Sequence, residues 1–217
     1  MAGAQSEPRR VRARRVDLVR DLARPIPARL MAAMLGLPRE DDGRLQIWSD
    51  AALSLMGALP AREQIERCYA LVAELPGAWE RLRASPDEIP AFVEESLRLE
   101  TPAKGNYRRT TRAVLLGGAA LPEGATLALL WGSANRDEAE FPEPDRFELH
   151  RPNQKAQLGF GHGAHFCLGA AVARMETRIV LEELLACGAS VRIASGPHRH
   201  VPSVFVRRLA TLEAEVA

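Results

Sequence analysis

The chain has 217 residues, 47% of them hydrophobic, which is enough to bury one core of ordinary size, so a single domain is expected. Its formal net charge of +1 supplies no whole-protein field that would draw it to nucleic acid or to a membrane surface. No apolar run approaches a membrane span and no signal-peptide core opens the chain; the three cysteines, an odd number at unrelated positions, argue against a disulfide framework, so a reducing, cytoplasmic location is expected.

Residues 1–15 are polar and carry Arg9, Arg10, Arg12, Arg14 and Arg15; they read as a disordered, solvated basic terminus, leaving residues 16–217 as the domain. From Val16 the apolar pattern Val16, Leu18, Val19, Leu22, Ile26, then Leu30, Met31, Met34 and Leu35 predicts two helices divided by Pro25 and Pro27, with Gly36 as the stop. Pro38-Arg39-Glu40-Asp41-Asp42 begins another helix, with acids in its first turn, through Leu45, Trp48, Ala52 and Leu55. Ala61 to Leu75 has Ile65, Tyr69 and Val72 on one face and ends at Pro76-Gly77, and Trp79 and Leu82 make a short helix closed by Ser85-Pro86.

Ala91 to Arg98 is a further helix on which Glu95 and Arg98 stand three apart, close enough to pair on one face. Asn106 to Arg112, Ala113–Leu116, the Gly117-Gly118 turn and Leu121-Pro122-Glu123-Gly124 give a strand-turn-strand signal. Thr126–Trp131 is another strand-like run, and Ala134-Asn135-Arg136-Asp137 opens a helical turn. Residues 139–157 are proline-rich and aperiodic, an irregular loop. The last segments, Val191–Ile193, Pro202–Val206 and Leu209–Leu212, read as short strands.

That loop leads into Leu158-Gly159-Phe160-Gly161-His162-Gly163-Ala164-His165-Phe166-Cys167-Leu168-Gly169. Gly159, Gly161 and Gly163 permit positive φ and close approach to a bulky flat partner. Leu168, Val172, Met175 and Ile179 recur at helical steps, so Cys167 stands at a helix start, where the positive end of the dipole suits an anionic metal ligand. Zinc is the weaker reading: His162, His165 and Cys167 need a fourth ligand, and Cys187, His198 and His200 are the only nearby candidates.

The run Phe-Gly-His-Gly-Ala-His-Phe-Cys-Leu-Gly resembles the heme-binding signature of the cytochrome P450 heme-thiolate monooxygenases. The resemblance implies a mainly α fold with small β-sheets (α+β) and heme b as cofactor. It makes Cys167 the axial iron ligand, sets Phe160 and Gly161 against the sulfur and the macrocycle, and gives His165 and Arg108 to the heme propionates. It further implies that Glu95 and Arg98 form a buried network with a later arginine, Arg146. Residues 85–215 carry the likeness well and residues 16–50 moderately.

Between them the resemblance breaks down, because the family's central-helix motif, Ala-Gly-x-acid-Thr-Thr, is not found. Either Met56-Gly57-Ala58-Leu59-Pro60-Ala61 lies over it, with Leu59 at the acid and Pro60-Ala61 at the alcohols, or that helix is absent. In both cases the acid and alcohol that relay protons in oxygen activation are missing. The chain reads as a shortened member that keeps the proximal half of the fold. Its bare distal face calls for a homodimer or a hetero-partner. Three functions stand open: a shortened heme-thiolate oxidoreductase acting on a small-molecule substrate, by peroxide or with a ferredoxin-type reductant; a protein catalysing a non-redox cyclisation or dehydration; and a non-enzymatic docking module. Arginine- and alanine-rich composition points to a GC-rich bacterial source, where the family commonly serves specialised metabolism.

Overall fold

A computed structural model of the chain describes residues 14–41, 43–45, 47–48, 77–187, 190–193, 199–203 and 205–216. Arg14–Asp17 form strand β1, where the sequence pattern places the end of a frayed arm and the start of a helix. Four residues are too few for periodicity to choose between strand and helix, and a partner at the far end of the chain decides it. The turn that follows is fixed by Asp17, whose Oδ1 accepts the Val19 N–H (3.1 Å) and the Leu212 N–H (3.0 Å). One wide turn, Val19–Ala23, then enters helix α1, Pro25–Met34. The expected division falls at Pro25, between this π-helical turn and α1, and both Pro25 and Pro27 sit in the first turn of α1, where a missing N–H costs nothing. Gly36, at φ 68°, follows the end of α1 as expected.

Arg39–Asp41 form a single 3-10 turn. The helix expected from Ala61 to Leu75, and the segment Met56–Ala61, lie outside the described residues. Helix α2, Ala78–Ala84, buries Trp79 and Leu82, and helix α3, Ile89–Leu99, is the hub of the core. Pro90 stands in its first turn, and the Thr101 hydroxyl ends it by bonding the carbonyls of Leu97 and Arg98, both at 3.0 Å. Around α3 gather Leu18, Val19, Leu82, Leu181, Leu209 and Leu212, all essentially without solvent exposure.

Strand β2, Asn106–Arg109, flanks a hairpin of β3, Val114–Leu116, and β4, Ala119–Leu121, and pairs antiparallel with β5, Thr126–Leu129. Both hairpin turn residues, Gly117 (φ 55°) and Gly118 (φ 82°), are left-handed, as a two-residue turn matched to strand twist requires. After the short helix α4, Trp131–Ala134, the proline-rich loop runs to helix α5, Ala170–Ala186. Strands β6, Val191–Ile193, and β7, Glu213–Val216, complete an antiparallel sheet in the order β1-β7-β6. The strands expected near 202–206 and 209–212 are reduced to two isolated bridges, Ala103 with Val206 and His200 with Leu209.

One charged group organises the crossing of α3 with the loop. The Arg98 and Glu95 side chains are both fully buried and paired twice, Nε to Oε2 at 2.9 Å and Nη2 to Oε1 at 2.8 Å. The remaining Arg98 N–H groups donate to the carbonyls of Asn135 (2.8 Å), Pro144 (2.8 Å) and Arg146 (3.2 Å), so all five are used. The third charged member is Arg151 and not Arg146. Arg151 Nε reaches Glu95 Oε1 at 3.2 Å, while the Arg146 side chain lies 67% exposed against Glu143 and offers the network only its carbonyl.

Helix α5 turns the expected packing around. It lies against α3 through Ala170, Ala173, Thr177, Val180 and Leu181, whereas Met175 and Ile179, with Leu168 before the helix, face solvent and Val172 is half-buried. The apolar stripe read from the sequence is therefore the uncovered face. At its edge Glu176 is 5% exposed, and both its carboxylate oxygens lack a partner among the described residues. Burial alone pushes its pKa from the usual 4.5 up to about 7.

Two expectations follow from these buried charges. Arg98→Ala, which strands Glu95, should cost about 3–5 kcal/mol in urea unfolding, whereas Arg146→Ala should stay within about 0.5 kcal/mol; equal losses would restore Arg146 to the network. Because the folded pKa of Glu176 is raised, its contribution to stability is complete below pH 4.5 and is lost as pH climbs to about 7. Glu176→Gln should abolish a fall of about 2–3 kcal/mol between pH 4.5 and pH 8, measured by urea midpoints at each pH.

Candidate heme-thiolate site

The Cys167 loop is held by main-chain bonds. The Leu158 N–H donates to Asn135 Oδ1 (2.6 Å) and the Gly159 N–H to Gln157 Oε1 (2.6 Å). A Cβ at Gly159 would stand 2.8 Å from that Gln157 oxygen and would push the amide aside, whereas its 3.4 Å from the Leu97 carbonyl of α3 is ordinary contact. Gly161, at φ 72°, then reverses the chain, and one turn, Gly163–His165, delivers the cysteine. The Cys167 N–H donates back to the Phe160 carbonyl at 3.0 Å, and the Cys167 carbonyl accepts the Ala170 N–H at 3.2 Å. The residue is pinned on both sides, just before α5 begins.

Its surroundings divide sharply. Beneath it Phe160 is buried, and around it Phe166 is 52% exposed and Leu168 99% exposed, while Cys167 itself is half-buried and free of any disulfide. A half-buried thiol ringed by outward-turned apolar side chains is shaped for a broad, flat, apolar partner. Among the described residues no three His, Cys, Asp or Glu side chains gather as a metal site, and His198, one of the candidate fourth ligands, lies outside them. A lone thiolate suits a metal whose other positions are filled by a macrocycle. These residues fit heme.

The structure brings Phe160, Gly161, His165 and Cys167 together in one loop, with His165 exposed at the end of its turn. Arg108 lies elsewhere, half-buried on β2; its Nη1 donates to the Tyr107 carbonyl (2.9 Å), and no acidic side chain pairs with it among the described residues. Sequence reasoning missed Asn135. Wholly buried, it donates from Nδ2 to the Thr101 hydroxyl (2.7 Å), receives Leu158 on Oδ1, and gives its carbonyl to Arg98. It carries the charge network of α3 directly into the cysteine loop, and a single asparagine in an aperiodic turn leaves no signal of that role.

The family model for cytochrome P450 matches residues 89–186, the span from α3 through the cysteine loop to the end of α5. Cytochrome P450 144 of Mycobacterium tuberculosis is 46% identical over 146 residues, covering 67% of this chain and 33% of that protein. Erythromycin C-12 hydroxylase of Saccharopolyspora erythraea is 40% identical over 136 residues, covering 62% of this chain and 34% of that one. The matched part thus spans about a third of these two curated relatives. Among solved structures, cytochrome P450 CYP109Q5 from Chondromyces apiculatus superposes with a TM-score of 0.84 at 26% identity, over 94% of this chain and 67% of that chain. With the pinned cysteine, the buried Glu95–Arg98 pair and the helix-and-small-sheet architecture all falling inside these matches, the chain belongs to the cytochrome P450 family, whose cofactor is heme.

Proposed function

We propose that this chain holds heme b through the Cys167 thiolate and acts as a heme-thiolate oxidoreductase on a small organic molecule of specialised metabolism. The observation that carries the reading is the cysteine itself, fixed by backbone bonds on both sides and framed by exposed Phe166 and Leu168. Phe160 and Gly161 support the sulfur from below, and Arg108 and His165 serve the propionates, Arg108 because no carboxylate partner already claims its charge among the described residues. Bound there, heme supplies one-electron and oxygen-transfer chemistry; the chain's part is to orient it and to present the half-buried sulfur from a fixed loop. The substrate class rests on the erythromycin hydroxylase likeness. A peroxide is the favoured oxidant, because no Ala-Gly-x-acid-Thr-Thr motif offers a proton relay in this sequence; a ferredoxin-type reductant is the alternative.

The open face supports the second element of the reading, that the working unit is larger than one chain. Leu168, Met175 and Ile179 expose an apolar stripe beside Glu176, whose carboxylate oxygens have no partner among the described residues; Met31 and Met34 of α1 and the following Leu35 are a further exposed apolar group, at 43–61% exposure. A second copy of the chain is the simplest cover.

Reconstituted with heme, reduced and exposed to carbon monoxide, the protein should give a strongly red-shifted Soret band. Cys167→Ser should abolish that band, and Arg108→Leu should weaken heme affinity by about tenfold. A chain that takes up no heme, or a spectrum indifferent to Cys167, moves the weight to a non-redox or docking role. Sedimentation should show a dimer that Met175→Glu with Ile179→Glu dissociates; a monodisperse holo-monomer would remove the second copy.

A further inference from the structure

A second set of bonds joins α3, the cysteine loop and α5 on the side away from Arg98. Glu94, the neighbour of Glu95 on the adjacent face of α3, receives the Arg174 guanidinium of α5 through both Nε and Nη2, the latter at 3.0 Å from Oε2. The same Oε2 accepts Gln157 Nε2 at 3.2 Å, and Gln157 in turn holds the Gly159 N–H. The guanidinium carbon of Arg174 lies 4.6 Å from the centre of the Phe160 ring. That ring belongs to the residue whose carbonyl accepts the Cys167 N–H, and it meets Phe166 edge-on with centroids 6.4 Å apart. Arg174 therefore touches the loop from one side through the aromatic face, and Glu94 grips it from the other through Gln157.

We propose that Glu94 and Arg174 are positioning residues: together they lock the Phe160 ring and the Gly159 turn, so that the Cys167 sulfur is aimed before any cofactor arrives. The proposal rests on Cys167 being the metal-ligand cysteine. Three features favour a locking role over an incidental surface ion pair. Arg174 makes a fork to one carboxylate and a cation–π contact to one ring at once, a geometry that lysine cannot reproduce. Its side chain is only 35% exposed and that of Glu94 only 18%, so water screens the pair incompletely. All the groups it restrains, Gly159, Phe160 and Phe166, lie within the loop that presents the sulfur.

Amide hydrogen exchange on the heme-free protein reads this directly, with the exchange of Cys167, Phe166 and Gly159 compared against the α3 amides of Val93 and Leu97. Arg174→Ala should speed exchange at the three loop amides by about tenfold and leave the α3 amides unchanged, the pattern of a local opening. Arg174→Lys, which keeps charge but not the fork, should recover only part of the protection, and Glu94→Gln should match it. With heme added, Arg174→Ala should shift the carbon monoxide complex toward a band without thiolate character. Unchanged loop exchange, or equal acceleration in loop and α3, would overturn the proposal. Because exchange is measured without heme, a chain that never binds it fails the functional reading while leaving this result to stand or fall alone.

Discussion

The Arg98 guanidinium is the constraint from which the rest of the arrangement follows. A fully buried cation is tolerable only if every N–H finds an acceptor and a counter-charge lies in contact. Glu95, one helical turn away, supplies the charge and two acceptors; the other acceptors must come from outside α3, and they are main-chain carbonyls of Asn135, Pro144 and Arg146. An aperiodic, proline-rich loop has no ladder of its own to satisfy its carbonyls, so the cation and the loop complete each other. Such a network contributes more to geometry than to net stability, because its desolvation cost offsets much of the attraction.

The geometry is transmitted through Asn135, which belongs both to the Arg98 shell and, through its side chain, to the start of the cysteine loop at Leu158. From there backbone hydrogen bonds take over. The Gly159 N–H, held by the Gln157 side chain, and the bond from the Cys167 N–H to the Phe160 carbonyl fix the direction of the cysteine through its backbone and not through its sulfur. The apolar side chains beside it, Phe166 and Leu168, face outward.

Much of this was legible in the sequence wherever a local rule decides the structure. The glycine spacing around Cys167, the three-residue step from Glu95 to Arg98, and the Gly117-Gly118 turn each encode a conformation that few alternatives could satisfy. Arg146 and Arg151 show where legibility ends. Both lie in the same loop, five residues apart, with no periodic element to say which side chain turns inward, and the choice belongs to the Glu95 oxygen already in place. Strand β1 is the other kind of case: its Val16 pairs with Ala214, and no window of local residues contains that partner.

Helix α5 carries the more general lesson. Hydrophobic periodicity reports that one face of a helix is more apolar than another, but it weights large side chains, and close packing of two helices favours small ones. Ala170, Ala173 and Thr177 let α5 approach α3, so the larger Val172, Met175 and Ile179 are left to a different neighbour. Glu176, set between them on the helix, is already covered by the chain itself. With no partner for either oxygen among the described residues, its burial raises its pKa to about 7, so a carboxyl that would be ionised in water sits near its midpoint at neutral pH.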